Sequence, residues 1–103
     1  MVASTSSWFL YMIRCGDGSL YTGITTDMER RLREHSGAAG SKRGAKSLRG
    51  KRPLALVYQT QLQNRSEAQQ MEYIVKQLSK IEKESLVNRT LLLPELVAGK
   101  ATR

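Results

Sequence analysis

The feature that most constrains this fold is a pair of β-prone runs on either side of a turn signal near the N-terminus. Residues 9–13 form the first run, residues 20–25 form the second, and Gly-Asp-Gly at residues 16–18 separates them. Two such runs around a short glycine-containing turn are typical of a β-hairpin. Because the first run is apolar at odd and even positions alike, we expect both faces of its strand to be covered.

The turn also predicts the register of the hairpin. If it centres on Asp17, Tyr11 lies opposite Gly23 and Ile13 lies opposite Tyr21. Side chains alternate between the two faces of a strand, so Tyr11, Tyr21 and Gly23 share one face. Since Gly23 has no side chain, a ligand or a ring can approach the backbone there. The expected result is two tyrosine hydroxyls beside a small patch of accessible backbone, an open floor at Gly23.

A helix is predicted directly after the hairpin. Thr26 and Glu29 have the spacing of a capping box. A guanidinium on the buried side of a helix costs desolvation energy unless an anion meets it, so an arginine there is a candidate anion-binding residue. Helical periodicity places Met28, Arg31, Leu32 and His35 on one side and turns Arg30 and Arg33 away from it.

The second half of the chain predicts one more strand and two helices. Residues 54–58 lack polar alternation, which indicates a third strand covered on both faces, and residues 59–64 lead back to a helix. That helix covers residues 65–78 with Ser66 as its N-cap, and residues 79–88 form a further helical piece. The buried stripe of the first of these helices consists of Met71, Ile74, Val75 and Leu78.

These elements predict an α/β (α+β) fold, a small three-stranded, mainly antiparallel sheet flanked by helices. A chain of 103 residues has room for one such domain with one modest core. We place the domain at residues 8–90, between a flexible N-terminal tail at residues 1–7 and a C-terminal tail at residues 91–103. No apolar run approaches the length of a membrane span, so no membrane partner is expected.

The single cysteine, Cys15, limits the compartment and the chemistry. It cannot form an internal disulfide, which favours a reducing, cytoplasmic location. A catalytic pair with His35 is one interpretation, and an unreactive thiol at the end of a strand is the other.

The positive charge of the chain is large and concentrated in one segment. The formal net charge is +8, the pI is about 10.1, and no acid occurs between His35 and Ser66. Two interpretations fit this segment, a solvated loop or a phosphate-binding lip with salt-dependent, largely sequence-independent affinity. The excess charge predicts a polyanionic partner, and nucleic acid is such a partner. The basic residues are Lys42, Arg43, Lys46, Arg49, Lys51 and Arg52.

Together these motifs resemble the GIY-YIG nucleases, in particular their small stand-alone bacterial members and the catalytic domain of structure-specific (Slx-type) endonucleases. The resemblance covers about residues 8–90. Phe9-Leu10-Tyr11 stands at the first motif of the family, with phenylalanine in place of the usual glycine. Tyr21-Thr22-Gly23 stands at the second motif, with threonine in place of isoleucine.

The resemblance implies an endonuclease that hydrolyses phosphodiester bonds of nucleic acid, DNA rather than RNA, with one divalent cation, Mg²⁺ or Mn²⁺. It implies catalytic roles for Tyr11, Tyr21, Arg31 and His35, an active-site backbone at Gly23 and a metal ligand at Glu72. In that scheme the arginine holds the scissile phosphate and one of the tyrosines orients or deprotonates the attacking water.

Two of these residues have a second interpretation in the sequence. Glu72 is either the ligand of a hard cation, which prefers oxygen donors, or half of an ion pair with Lys76 at i+4. His35 either assists proton transfer and phosphate binding or packs as an ordinary helix residue.

Two other functions stay open beside the nuclease. One is a nucleic-acid-binding module of the same fold with little or no cleavage, and the other is a basic ribosome- or RNA-associated protein. Charge does not separate the three, whereas the constellation Tyr11, Tyr21, Arg31 and Glu72 favours the nuclease. We expect no room for a separate DNA-reading module in 103 residues, so specificity comes from substrate shape or from a targeting protein.

Overall fold

The computed structural model describes residues 7–36 and 51–91. Its strands and helices are β1 (Trp8–Arg14), β2 (Leu20–Thr25), α1 (Met28–Ser36), β3 (Ala55–Leu62), α2 (Arg65–Lys76) and α3 (Lys80–Val87). The α+β class predicted from the sequence is confirmed. Within these two described ranges, no helix is both long and apolar enough to cross a membrane.

The three strands form one antiparallel sheet with β1 in the centre, in the order β2-β1-β3. In the hairpin, Tyr11 pairs with Gly23 and Ile13 pairs with Tyr21. This is the register predicted for a turn centred on Asp17, so Tyr11, Tyr21 and Gly23 do share one face of the sheet.

The central strand contributes to two hydrophobic cores, one on each face of the sheet. Four successive residues from Leu10 to Ile13 are at most 1% exposed, which confirms that both faces of β1 are covered. Leu10 and Met12 pack with α2 and α3, whereas Tyr11 and Ile13 pack with α1. Each large side chain buried to this extent contributes about 1.5–3 kcal/mol to folding. The residues that complete the larger core are Tyr58, Met71, Val75, Leu78 and Leu86.

β3 is longer and more exposed than predicted. It covers Ala55–Leu62, so residues 59–62, predicted as part of a polar connection, belong to the strand. Among the described strands it pairs with β1 alone, and Leu56 is 37% exposed. An edge strand needs less cover than a central one, and the apolar run at residues 54–58 does not reveal which position a strand takes.

Two helices begin at caps other than the predicted ones. The side chain of Asp27, not that of Thr26, accepts the backbone N–H of Arg30 at 3.0 Å at the start of α1. At the start of α2, the side chain of Asn64 accepts the N–H of Glu67 at 2.9 Å, so Ser66 is not the cap. Asp and Asn rank at least as high as Thr and Ser at this position, and neighbouring candidates compete for one helix end.

The hairpin turn also holds the segment that leads into β3. Gly18 has a φ of +87°, a conformation that glycine adopts at little cost. The N–H of Gly16 donates to the carbonyl of Lys51 at 2.6 Å, and a Cβ atom at Gly16 would collide with the carbonyl oxygen of Arg52. Lys51 Nζ lies 3.6 Å from a carboxylate oxygen of Asp17. The chain thus returns to the hairpin turn just before β3 begins.

Thr22, the middle residue of the second motif, is 3% exposed and lies on the sheet face opposite Tyr21 and Gly23. Its hydroxyl has no hydrogen-bond partner in the described part of the chain. A buried hydroxyl without a partner costs about 1–3 kcal/mol. Isoleucine, the residue usual in that motif, would avoid this cost.

Candidate active site

The hairpin and the inner side of α1 bring three rings together. Tyr11 comes from β1, Tyr21 from β2 and His35 from the last turn of α1. The ring centroids are separated by 6.2 Å for Tyr11–Tyr21, 5.8 Å for Tyr11–His35 and 5.4 Å for Tyr21–His35. We call these three residues the aromatic cluster. Each of them was predicted to belong to the site.

A hydrogen bond of 2.7 Å joins Tyr11 Oη to His35 Nε2, and these residues are 0% and 7% exposed. Arg31 also forms a hydrogen bond with Tyr11. A guanidinium donates hydrogen bonds and accepts none, so the Tyr11 oxygen accepts from it. Tyr21 is a further hydrogen-bond partner of Tyr11, and the tautomer of His35 decides which of Tyr11 and His35 donates in their contact.

Both partners of this hydrogen bond are uncharged at neutral pH. Burial raises the pKa of Tyr11 to about 12, although the hydrogen bond from Arg31 opposes the shift. Burial also lowers the pKa of His35 to about 4, and the positive charge of Arg31 acts in the same direction, against the carboxylate of Glu34. The site at pH 7 therefore consists of a neutral phenol and a neutral imidazole beside one cation.

The lowered pKa of His35 makes the stability of the protein sensitive to mild acid. The unfolded chain has an ordinary imidazole pKa of about 6.5. As the pH falls from 6.5 toward 4, the unfolded state takes up a proton that the native state does not, so unfolding becomes more favourable. We expect the free energy of unfolding, measured with urea, to fall by about 2 kcal/mol between pH 7 and pH 4.5 from this residue.

The matched control is His35→Gln, which should lose most of this pH dependence. Hydrogen bonds from Arg14 lower the pKa of Glu84, whose effect falls mainly below pH 4.5 and is the same in the wild type and the variant. An equal slope in the variant and the wild type would show that His35 titrates in an ordinary environment.

Gly23 is the residue that lets the Tyr11 hydroxyl occupy its position. A Cβ atom at residue 23 would lie 2.5 Å from Tyr11 Oη, closer than non-bonded atoms approach. The sequence predicted that a ring could come close to this backbone, and the ring is that of Tyr11. The open floor expected beside the two tyrosines is therefore partly filled by the Tyr11 hydroxyl itself.

The arginines of α1 are oriented as the helical periodicity predicted. The Arg31 side chain is 25% exposed, whereas those of Arg30 and Arg33 are 52% and 60% exposed. Burial lowers the pKa of Arg31, but hydrogen bonds to Glu34 and Tyr11 more than offset this and leave its pKa above the usual value. Arg31 therefore remains a cation at the edge of the aromatic cluster.

Glu34 is a site residue that the sequence interpretation did not identify. Its carboxylate accepts a hydrogen bond from Arg31 Nη1 at 2.8 Å and lies 3.8 Å from Arg30 Nε, and its side chain is 13% exposed. The i,i+3 spacing to Arg31 was the available signal. The desolvation argument for Arg31 called for an anion, and this carboxylate on the same helix meets it.

Glu72 lies in α2, and the described contacts do not link it to the aromatic cluster. Its side chain is 25% exposed, and its carboxylate lies 3.1 Å from Lys76 Nζ. This is the ion pair considered as the alternative in the sequence. An i,i+4 pair of this kind contributes about 0.3–0.5 kcal/mol, so it competes weakly with another ligand of the carboxylate.

The donor atoms of the described residues limit the kind of metal site that this part of the chain can form. In the parts of the chain that the structure describes, no group of three or more His, Cys, Asp or Glu residues is placed to hold an ion. A closed protein cage is therefore not formed there. A hard divalent cation held by a single carboxylate, waters and a substrate phosphate fits a residue such as Glu72.

Four of the predicted phosphate-binding residues, Lys42, Arg43, Lys46 and Arg49, lie outside the described residues. The other two, Lys51 and Arg52, are described, and their backbone contacts the hairpin turn at Gly16. The last two basic residues of the segment are therefore placed at that turn.

A groove of about 340 Å³ lies beside the aromatic cluster and is mostly apolar. His35 belongs to both, so the groove continues from the candidate site along α1. The residues around the groove are Ile13, Leu32, Arg33, His35, Leu54 and Leu56.

Cys15 is buried, 4% exposed, and packs with Tyr11 and Ile13 in the smaller core. The group that lies at hydrogen-bonding distance from His35 Nε2 is the Tyr11 hydroxyl. These contacts favour the interpretation of Cys15 as a packed thiol over that of a nucleophile paired with His35.

The sequence matches a family model described as the GIY-YIG catalytic domain over residues 7–85. That range contains the aromatic cluster, Arg31 and Glu72. The UPF0213 protein in the potE 3′ region of Serratia liquefaciens is 54% identical over 88 residues, which are 85% of this chain and 82% of that protein. UPF0213 protein YhbQ from Escherichia coli O127:H6 is 51% identical over 95 residues, 92% of this chain and 91% of that protein.

Two solved structures share the fold. The solution NMR structure of UPF0213 protein BH0048 from Bacillus halodurans has a TM-score of 0.53 at 38% identity and covers 88% of this chain and 93% of that one. The solution NMR structure of protein EF2693 from E. faecalis has a TM-score of 0.59 at 34% identity and covers 86% and 91%. The names of these relatives state no activity.

Proposed function

The chain belongs to the GIY-YIG family, and on that premise we propose that it is an endonuclease that hydrolyses phosphodiester bonds of nucleic acid, DNA rather than RNA. The observation that carries the proposal is the grouping of Arg31 with the hydrogen-bonded Tyr11 and His35. A cation held beside two neutral hydrogen-bonding groups suits a phosphate, whose charge grows around the phosphorus during hydrolysis.

Arg31 binds the scissile phosphate in this proposal. Its guanidinium presents several N–H donors in one plane, so the group can hold contacts to Glu34 and Tyr11 and still donate to phosphate oxygens. Charge-assisted hydrogen bonds of this kind are about twice as strong as neutral ones. The partial burial of Arg31 strengthens them further because less water screens the charge.

Tyr11 and Tyr21 are the residues that would contact the attacking water. With a pKa of about 12, Tyr11 keeps its proton at pH 7, so it fits the role of orienting the water or the phosphate rather than that of a free base. His35 holds the Tyr11 hydroxyl in position through their 2.7 Å hydrogen bond. Tyr21 lies beside both rings and completes the wall of the site.

Glu72 is the residue that would hold a divalent cation, Mg²⁺ or Mn²⁺. When bound, such an ion stabilises negative charge on the leaving oxygen and lowers the pKa of a bound water. The i,i+4 pair with Lys76, whose side chain is half exposed, is weak enough for the carboxylate to exchange partners.

The basic segment supplies affinity for the nucleic-acid backbone. Lys42, Arg43, Lys46 and Arg49, together with Lys51 and Arg52, form this lip in our proposal. Lys51 and Arg52, at its C-terminal end, contact the hairpin turn through their backbone. The affinity of contacts between basic side chains and backbone phosphates depends on salt and not on base sequence. Selectivity therefore has to come from substrate shape or from a targeting protein.

A cleavage assay with purified protein tests the proposal. We expect cuts in at least one member of a panel of duplex, branched and single-stranded DNA when Mg²⁺ or Mn²⁺ is present, and none when EDTA replaces the metal. The same panel in RNA tests the preference for DNA. Binding without cleavage on every substrate and with either metal would contradict the enzyme and favour the alternative, a non-catalytic nucleic-acid-binding module of the same fold.

A further inference from the structure

We propose that Glu34 is a positioning residue for Arg31, one that fixes the guanidinium so that its remaining donors face Tyr11 and the substrate phosphate. This inference rests on the proposed nuclease function. It concerns a residue that neither the sequence motifs nor the family resemblance pointed to.

The first support is the difference between the two acidic residues of α1. Glu34 is 13% exposed in its side chain and lies 2.8 Å from Arg31 Nη1. Glu29 is 88% exposed and lies 3.9 Å from Arg33 Nη1. The exposed pair contributes a few tenths of a kcal/mol and orients nothing firmly. The short contact of the more buried pair restricts the guanidinium, because moving it away would leave a carboxylate with less water around it.

The second support is the set of contacts that Arg31 makes at once. The guanidinium donates to Glu34 on its own helix and to Tyr11 on β1. Two contacts from different elements define the plane of a rigid fork, whereas either contact alone would leave it free to rotate. A displacement of 1 Å in a phosphate-binding group is enough to reduce a rate about 100-fold.

The third support is the charge of Glu34, which makes its effect on binding opposite to its effect on rate. A carboxylate this close to Arg31 repels a substrate phosphate and weakens binding. Arg30 shares the same carboxylate at 3.8 Å and offsets part of this repulsion. A residue that served to bind the substrate phosphate would not be acidic at this position. We therefore assign to Glu34 the orientation of Arg31.

The test is Glu34→Gln, with Glu29→Gln as the matched control on the same helix. We expect Glu34→Gln to lower kcat about 10- to 100-fold, while the Kd for DNA, measured in EDTA, stays equal or becomes tighter. Glu34→Asp keeps the charge and should recover part of kcat. Glu29→Gln should change neither quantity. An unchanged kcat in Glu34→Gln, or a loss of affinity that accounts for the whole loss of activity, would overturn the positioning role.

A second measurement does not depend on catalysis. The Nε–H group of Arg31, assigned by its absence in Arg31→Lys, should give a high heteronuclear NOE in the wild type and in Glu29→Gln, and a low one in Glu34→Gln. If the wild type cleaves nothing but this pattern is found, the nuclease proposal fails and the positioning of Arg31 stands. An ordered Arg31 side chain in Glu34→Gln would refute the positioning whatever the activity.

Discussion

Replacing Arg31 with alanine should abolish cleavage, with a loss of at least about 10³-fold in kcat, the scale of an arginine that stabilises charge on a transferring phosphoryl group. The substitution removes the partly buried cation that donates to Tyr11 and would donate to the phosphate. It also leaves the Glu34 carboxylate, 13% exposed, without that partner, so a loss of about 1–3 kcal/mol in stability is expected as well. Single-turnover cleavage and urea unfolding measure the two effects separately.

Arg30→Ala is the matched control for this experiment. Arg30 precedes Arg31 on the same helix, carries the same charge and shares Glu34, but its side chain is 52% exposed and points away from the sheet. Its removal should change affinity for DNA by a small factor and leave the rate at saturating DNA unchanged. Equal losses of rate in the two variants would refute the assignment of the phosphate to Arg31.

Replacing Glu72 with glutamine should remove metal-dependent cleavage and spare the fold. The substitution removes an ion pair with Lys76 that is worth about 0.3–0.5 kcal/mol, so the melting temperature without metal should hardly change. In the wild type, Mn²⁺ well above its Kd should raise the melting temperature, because a ligand that binds the native state stabilises it. The variant should show no such rise.

Lys76→Ala separates the two interpretations of Glu72. It breaks the same ion pair but keeps the carboxylate, so the variant should still cleave and still gain melting temperature from Mn²⁺. If Glu72→Gln keeps both the cleavage and the rise with Mn²⁺, the carboxylate is structural. The binding-module alternative would then be favoured over the nuclease.

The hairpin could be predicted in detail because its signals are local. A turn centred on Asp17 and the two-residue alternation of strand side chains are enough to pair Tyr11 with Gly23. The inner side of α1 followed from its helical period in the same way. The position of a strand within the sheet could not be predicted, because the same apolar run occurs in central and in edge strands. The extension of β3 to Leu62 and its exposure were missed for that reason.

The candidate site was predicted only in part, because local periodicity fixes the geometry of neighbouring elements but not the distance between remote ones. Tyr11, Tyr21, Arg31 and His35 lie on three consecutive elements whose geometry follows from local periodicity, and the structure brings them together. Glu72 lies on a helix more than 30 positions further along the chain, where periodicity gives a face of the helix but no distance to the cluster. Glu34 was not predicted because an acid that follows several arginines on a helix is usually part of a solvated surface.

The central strand has a consequence for the unfolded chain. Residues 8–13, Trp-Phe-Leu-Tyr-Met-Ile, contain no charge, no proline and no glycine, which is the composition of segments that assemble into intermolecular β-structure. In the native protein this segment is paired along both edges, and Leu10 to Ile13 are hidden on both faces. Variants destabilised enough to unfold should therefore aggregate, which sedimentation measures, whereas variants that stay folded keep this segment covered. The strand that positions Tyr11 for chemistry is also the one that the fold must keep away from other copies of the chain.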